Sequence, residues 1–146
     1  MKLQYVEKEQ DLFLMDKHYV LAHCVSEDCA MGAGIALEFR KRIPEMPDIV
    51  KAQNPKIGDA IPYITKGGRI VVNLFTKAKY NHKPTYETLT MSLISFREYM
   101  KKHRFTHIAI PLIGSGLDKL DWKQVSGIVQ TVFANEEMEI VVCIKK

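Results

Sequence analysis

Read for hydrophobic and polar positions alone, the chain alternates between short apolar runs and longer helical stripes. Residues 3–6 have the length of a short strand and give way to the charged Glu7-Lys8-Glu9-Gln10. Residues 11–15 restart the apolar pattern as a turn and a short element. Residues 19–25 are almost continuously apolar, which predicts a strand buried on both faces. The polar residues 26–29 lead to Met31-Gly32-Ala33-Gly34, which opens a helix through Ile35, Ala36, Phe39 and Ile43. Pro44 and Pro47 separate it from a shorter helix reaching about Gln53.

Residues 60–65 and 69–75 are β-rich and split by Lys66-Gly67-Gly68, a hairpin signal. A polar, basic loop over 76–83 follows. Pro84-Thr85 starts a helix, with the proline expected in its first turn. Its apolar stripe is Tyr86, Leu89, Leu93, Phe96 and Met100. Residues 106–112 form the next strand, residues 121–133 carry another helical stripe, and residues 139–144 form the last strand. This alternation predicts an α/β domain, a central mixed sheet with helices on both faces, as one unit over 1–146. Ligands of such sheets bind beyond the carboxyl ends of the strands. Three loops should leave the sheet there, at 26–34, 76–83 and 114–118.

Composition narrows the class. With 47% hydrophobic and 26% charged residues, a normal core is available. No apolar run approaches the roughly 20 residues that span a bilayer, and residues 1–4 lead into a strand pattern with no signal-peptide core. No membrane partner is expected, and a cytoplasmic location is the default. Cys24, Cys29 and Cys143 are read as reduced thiols. Cys24 and Cys29 lack a second close pair, which argues against structural zinc, and no cofactor is expected. The net charge of +4, with basic residues at Lys77, Lys79 and Lys83 and at Lys101, Lys102 and Arg104, favours anionic ligands without amounting to a nucleic-acid footprint.

The candidate chemistry lies in the glycine loops. Ile113-Gly114-Ser115-Gly116-Leu117-Asp118 ends a strand, and its glycines free backbone N–H groups to turn inward ahead of a helix. Gly32-Ala33-Gly34 repeats the device, so a pyrophosphate gripped from two sides is the ligand that best suits the pair. Close helix–strand packing also selects glycine there. On this reading Gly114→Val should put a Cβ where the ligand needs the backbone. His23, on an apolar strand, is first a core histidine. Lys77 directly follows an apolar strand; most lysines are solvated, but one at a pocket edge is a nucleophile toward an aldehyde-like carbon, with Asp118 as acid/base.

Three separate motifs carry a resemblance. Residues 23–36, Thr76-Lys77 with His82-Lys83-Pro84-Thr85-Tyr86-Glu87, and residues 111–118 with Trp122 together resemble the macrodomain family, in the branch of terminal ADP-ribose protein glycohydrolase. The resemblance implies a three-layer α/β/α fold with a cleft for ADP-ribose. It implies an enzyme that removes ADP-ribose from acidic side chains, with O-acetyl-ADP-ribose or modified DNA as further substrates. Lys77 matches the nucleophile and Asp118 the residue that resolves its adduct. Asp11 and Leu12 match the adenine contacts; His23 and Ser26 match positions near the distal ribose. Met31, Gly32, Ala33, Gly34 and Ile35, with Thr76, Ile113, Gly114, Ser115, Gly116 and Leu117, match the remaining contacts, chiefly to the diphosphate. Gln10 stands where the family usually has glycine. The alternatives are a non-catalytic ADP-ribose reader and an antitoxin-type hydrolase acting on modified DNA; a reader would need the phosphate loops but not Lys77 paired with Asp118.

Overall fold

A computed structural model describes residues 2–145. In chain order the strands are β1 (Gln4–Glu9), β2 (Val20–Ser26), β3 (Ala60–Ile64), β4 (Ile70–Lys77), β5 (His107–Ile110) and β6 (Glu139–Ile144). The α-helices are α1 (Gly34–Arg42), α2 (Met46–Lys51), α3 (Tyr86–His103) and α4 (Trp122–Phe133). A 3-10 turn covers Leu12–Leu14. The six strands form one mixed sheet in the order β1-β6-β5-β2-β4-β3, with only the β3–β4 hairpin antiparallel.

The strands sort their side chains by the period of two. Ile108 and Ile110, with Ile140 and Val142, pack against Leu89, Leu93 and Phe96 of α3 and Val125, Val129 and Phe133 of α4. Ala109 and Val141, between them, face the opposite layer with Phe39 of α1 and Met46 and Val50 of α2. The fold is therefore three layers, α/β/α, as expected. Fully burying one such side chain contributes about 1.5–3 kcal/mol, so both layers anchor the sheet. No helix among the described residues is long and apolar enough to cross a membrane.

Several boundaries differ from expectation, each for a local reason. β1 runs on through Glu7-Lys8-Glu9, because its register with β6 continues to Glu9 opposite Ile144. Charge is tolerated there because β1 is an edge strand. β5 stops at Ile110, since Pro111 has no N–H to give the ladder. Pro84 precedes the first turn of α3; Thr85 is the cap, its hydroxyl accepting from Thr88 N at 3.0 Å.

The order of strands positions the cleft. β2 lies between β5 and β4, and all three run parallel. Their carboxyl ends therefore lie side by side, and the loops after Ser26, Lys77 and Ile110 open on one edge of the sheet.

Candidate active site

Lys77 is the last residue of β4, and a bulge decides where it points. The β2–β4 register pairs Val25 with Phe75 but Ser26 with Lys77, so Thr76 is the extra residue. A bulge bends the strand and re-aims the side chain that follows. Glu27 N donates to Lys77 O at 3.0 Å and holds the new path. Lys77 Nζ then meets Asp118 Oδ1 at 2.7 Å, with both side chains 15% exposed. The pair is sheltered from bulk water yet reachable. Two residues 41 apart in sequence are brought together, as the resemblance implied.

The three loops close around this pair. Lys83 Nζ donates to Leu117 O at 2.8 Å, linking the loop after β4 to the loop after β5. Leu117 is 60% exposed, and its Cδ1 lies 3.4 Å from where a Cβ on Gly34 would stand, so it meets the start of α1. Asp28 links the remaining two loops: its Oδ2 accepts from Tyr80 N at 3.0 Å and its Oδ1 from Ala30 N at 3.1 Å and from Ser26 Oγ. Burial works to raise the Asp28 carboxyl pKa, but these hydrogen bonds outweigh it and hold the group below the usual carboxylate range.

The two glycine loops offer N–H groups by different means. At α1 the N-cap is Ala33, which provides no side-chain cap, and Gly34 follows at φ +60°. The first N–H groups of α1 are left for an outside acceptor, at the positive end of the helix dipole. Gly32 and Ala33 are exposed beside them. After the loop over 113–118, α4 starts at Trp122, where the helical pattern was expected to resume, and Asp121 caps it by accepting from Lys123 N. The α4 dipole is thus not available to this loop. Ser115 N, Lys119 N and Leu120 N bond within the loop, leaving Gly116 N and Leu117 N without a backbone acceptor among the described residues.

Gly114 corrects the steric expectation. It has φ +71°, and a Cβ there would meet Leu120 Cδ1 at 3.1 Å and Leu89 at 3.7 Å. Glycine is needed for backbone conformation and inward packing, so Gly114→Val would act on the loop's fold and not by blocking a ligand.

A cavity of about 210 Å³ continues from α1. Asp11, Leu12, Phe13, Ile35, Pro111 and Leu112 are in its wall, as are Glu38 and Arg42. Asp11 Oδ1 caps the 3-10 turn by accepting from Phe13 N at 2.9 Å. Ile35 belongs both to this wall and to the first turn of α1, so cavity and N–H loop are continuous.

Other candidates back the site without reaching into it. His23 is fully buried, stacked on Phe39 at 4.0 Å and bonded to Asn73 Oδ1 at 2.8 Å. Burial pushes its pKa down to about 4, so it is neutral at physiological pH. It is a core histidine, as the apolar strand predicts. Met31, Thr76 and Ile113 are also buried, as is Ser26, whose hydroxyl is engaged by Asp28. Ser115 Oγ turns back to Ile113 O at 3.4 Å. Cys24 feels the charges of both Lys77 and Asp118, but burial, and next the Asp118 charge, push its thiol up to about 12, so it is no competing nucleophile.

Sequence reasoning missed Asp28, Glu38, Arg42 and the Lys83 contact. Asp28 carried a signal, an aspartate two residues after a serine in a turn. Arg42 had none, since its guanidinium sits 4.1 Å over the ring of Phe13, a contact made only by folding.

Known proteins bear on the whole arrangement. Residues 22–129 match the Macro domain family model. The chain is 40% identical over 132 residues to the ADP-ribose glycohydrolase OARD1 of Homo sapiens, covering 90% of this chain and 86% of that protein. It is 27% identical over 110 residues to the DNA ADP-ribosyl glycohydrolase of Mycobacterium tuberculosis, covering 70% of this chain and 31% of the relative. Among solved structures, the macrodomain of Thermus aquaticus DarG superposes with a TM-score of 0.83 at 24% identity, over 97% of each chain. With its layered fold, its cleft at the strand ends and these matches, the chain belongs to the macrodomain family.

Proposed function

We propose that this macrodomain is an ADP-ribosyl hydrolase that releases ADP-ribose from modified acidic side chains, with Lys77 as nucleophile and Asp118 as its acid/base partner. The observation that carries the reading is the Lys77–Asp118 contact of 2.7 Å beside two loops with free N–H groups. Identity of 40% to a human ADP-ribose glycohydrolase supports the same substrate class. A module that only read ADP-ribose would not need this pair.

The ligand fits the cleft from one end to the other. The adenine goes to the cavity at Asp11 and Leu12. The diphosphate goes between the start of α1, at Gly32, Ala33, Gly34 and Ile35, and the N–H groups of Gly116 and Leu117. The distal ribose then lies at Lys77. An amine must lose its proton to attack, and Asp118 is placed to take it. Lys77 attacks C1 of the distal ribose; the bond from C1 to the ester oxygen breaks, and the protein carboxylate leaves with the electron pair. The bond from C1 to the ring oxygen then opens. The attached nitrogen, now a secondary ammonium, gives one proton to solvent, and its lone pair expels the ring oxygen, which takes the proton held by Asp118; a protonated Schiff base on Lys77 and the Asp118 carboxylate remain. Water, deprotonated by Asp118, adds to the same carbon; Asp118 passes that proton to the nitrogen, then takes the proton of the new hydroxyl as the C–N bond breaks with its electron pair leaving on Lys77, and the open aldehyde of ADP-ribose closes its ring.

The test is release of ADP-ribose from glutamate-modified protein, O-acetyl-ADP-ribose and modified DNA, with one preparation. Protein should be the fastest substrate, and no release from any would contradict the reading. Release from DNA is the second reading, favoured by Tyr80, 68% exposed between Lys79 and Lys83, and by the 27% identical mycobacterial relative. The deacetylation of O-acetyl-ADP-ribose would use the same cleft. The three free thiols suit a reducing compartment such as the cytoplasm.

Asp11 gives a separate check on the adenine end. In Asp11→Asn the amide oxygen can keep the cap on Phe13 N, while the NH2 group faces the adenine amine, donor against donor. Calorimetry should show ADP-ribose binding weakened about tenfold, roughly 1.4 kcal/mol, with ribose phosphate binding unchanged. Equal weakening of both ligands would place the adenine elsewhere.

A further inference from the structure

We propose that Asp28 is a positioning residue for the reaction, acting on Lys77 through the backbone that follows it; this rests on the reading of Lys77 as the reacting group. β4 ends at Lys77, and its ladder to β2 is already bulged there. No regular pairing therefore fixes the direction in which the chain leaves the sheet. Two consecutive residues of the β2–α1 loop supply that direction. Glu27 N holds Lys77 O at 3.0 Å, and Asp28 Oδ2 holds Tyr80 N at 3.0 Å, three residues on. The segment between is bracketed at both ends, and Lys77 stands at one of them.

The other oxygen of Asp28 faces its own loop. It accepts from Ala30 N at 3.1 Å and from Ser26 Oγ. Ala30 lies between Cys29 at φ 52° and Met31 at φ 46°, both in the left-handed region that non-glycine residues avoid. Such a conformation costs about 1–2 kcal/mol per residue and persists where its surroundings hold it. Asp28 thus ties the loop that leads to the uncapped start of α1 to the loop that carries Lys77. Its two oxygens have separable duties, one toward the diphosphate loop and one toward the nucleophile.

Asparagine separates them. In Asp28→Asn the amide oxygen can serve Ala30 N and Ser26, which leaves the NH2 group against the N–H of Tyr80, donor against donor. Steady-state kinetics of the full chain, with calorimetric binding of ADP-ribose, should show kcat of Asp28→Asn lowered about 10- to 100-fold, the range for a slightly misplaced reacting group. KM and ADP-ribose affinity should stay within about twofold, since the amide keeps the diphosphate-loop contacts. Unchanged kcat, or kcat and affinity falling together with Tm, would overturn the assignment. If Asp28→Asn does not fold, Tyr80→Pro, which removes the same N–H from the other side, must lower kcat alike, and wild-type kcat there overturns the proposal. Lys77→Ala in the same series separates the two claims: activity in that variant overturns the lysine reading itself. Loss of activity there with wild-type kcat in Asp28→Asn overturns only the positioning role.

Discussion

Lys77→Arg will bind ADP-ribose normally and release none from modified protein. The guanidinium can keep the ion pair to Asp118, even as a bidentate contact, so the cleft retains its charge and shape. It remains protonated at every workable pH and has no free pair with which to attack carbon. The N–H groups at the start of α1 and at Gly116 and Leu117 are untouched, so affinity should hold within about twofold. Turnover should fall by about a thousandfold or more, about 4 kcal/mol of barrier. Lys77→Ala should lose as much activity but leave Asp118 without its partner at 2.7 Å. Arginine is therefore the cleaner variant. Substantial activity in Lys77→Arg would return the site to attack by water.

Asp118→Asn will stall the reaction after bond cleavage. Asparagine keeps the size of the side chain and can accept a hydrogen bond from Lys77, so the fold of the loop over 113–118 should persist. It cannot take a proton from the amine or from water. Where the amine reaches its free form by other means, attack on C1 proceeds once and the adduct waits for a base. Multiple turnover should drop at least about a hundredfold, and a fraction of the enzyme should carry the mass of ADP-ribose within one turnover. A variant equally slow in turnover but free of added mass would make Asp118 essential before the bond breaks, in activating Lys77.

The larger architecture was legible because hydrophobic spacing is a property of single segments. The buried run of β2, the hairpin of β3 and β4, and the stripes of α3 and α4 all follow from it. The convergence of three loops followed from strand order, since parallel neighbours place their carboxyl ends together. What escaped was whatever backbone groups decide. Residues 7–9 carry no apolar pattern, because the ladder to β6 alone places them in the sheet. The bulge at Thr76, which re-aims Lys77, has no residue signature. Asp28 binds the N–H of Tyr80, a group every residue but proline possesses, so no pattern marks the contact.

Glycine was legible in position but not in cause. Gly114 sits where the motif expected it, yet its reasons are φ +71° and the neighbouring Leu120 side chain. Gly34 is the first residue of α1, whose start carries no side-chain cap. For His23 the apolar strand pattern was guide enough to its burial. A side chain on a strand covered on both faces is buried whichever way it points, and Phe39 and Asn73 complete its surroundings.

The central claim is that Lys77 forms a bond to the distal ribose. It is tested most directly by reducing a reacting mixture with borohydride and mapping the modified peptide by mass spectrometry. A Schiff base on lysine is converted to a stable secondary amine, so the site of attack is recorded. The account predicts one ADP-ribose-derived mass, on Lys77, enriched in Asp118→Asn and absent from Lys77→Arg. An enzyme that turns over substrate while Lys77 stays unmodified in both wild type and Asp118→Asn would contradict it.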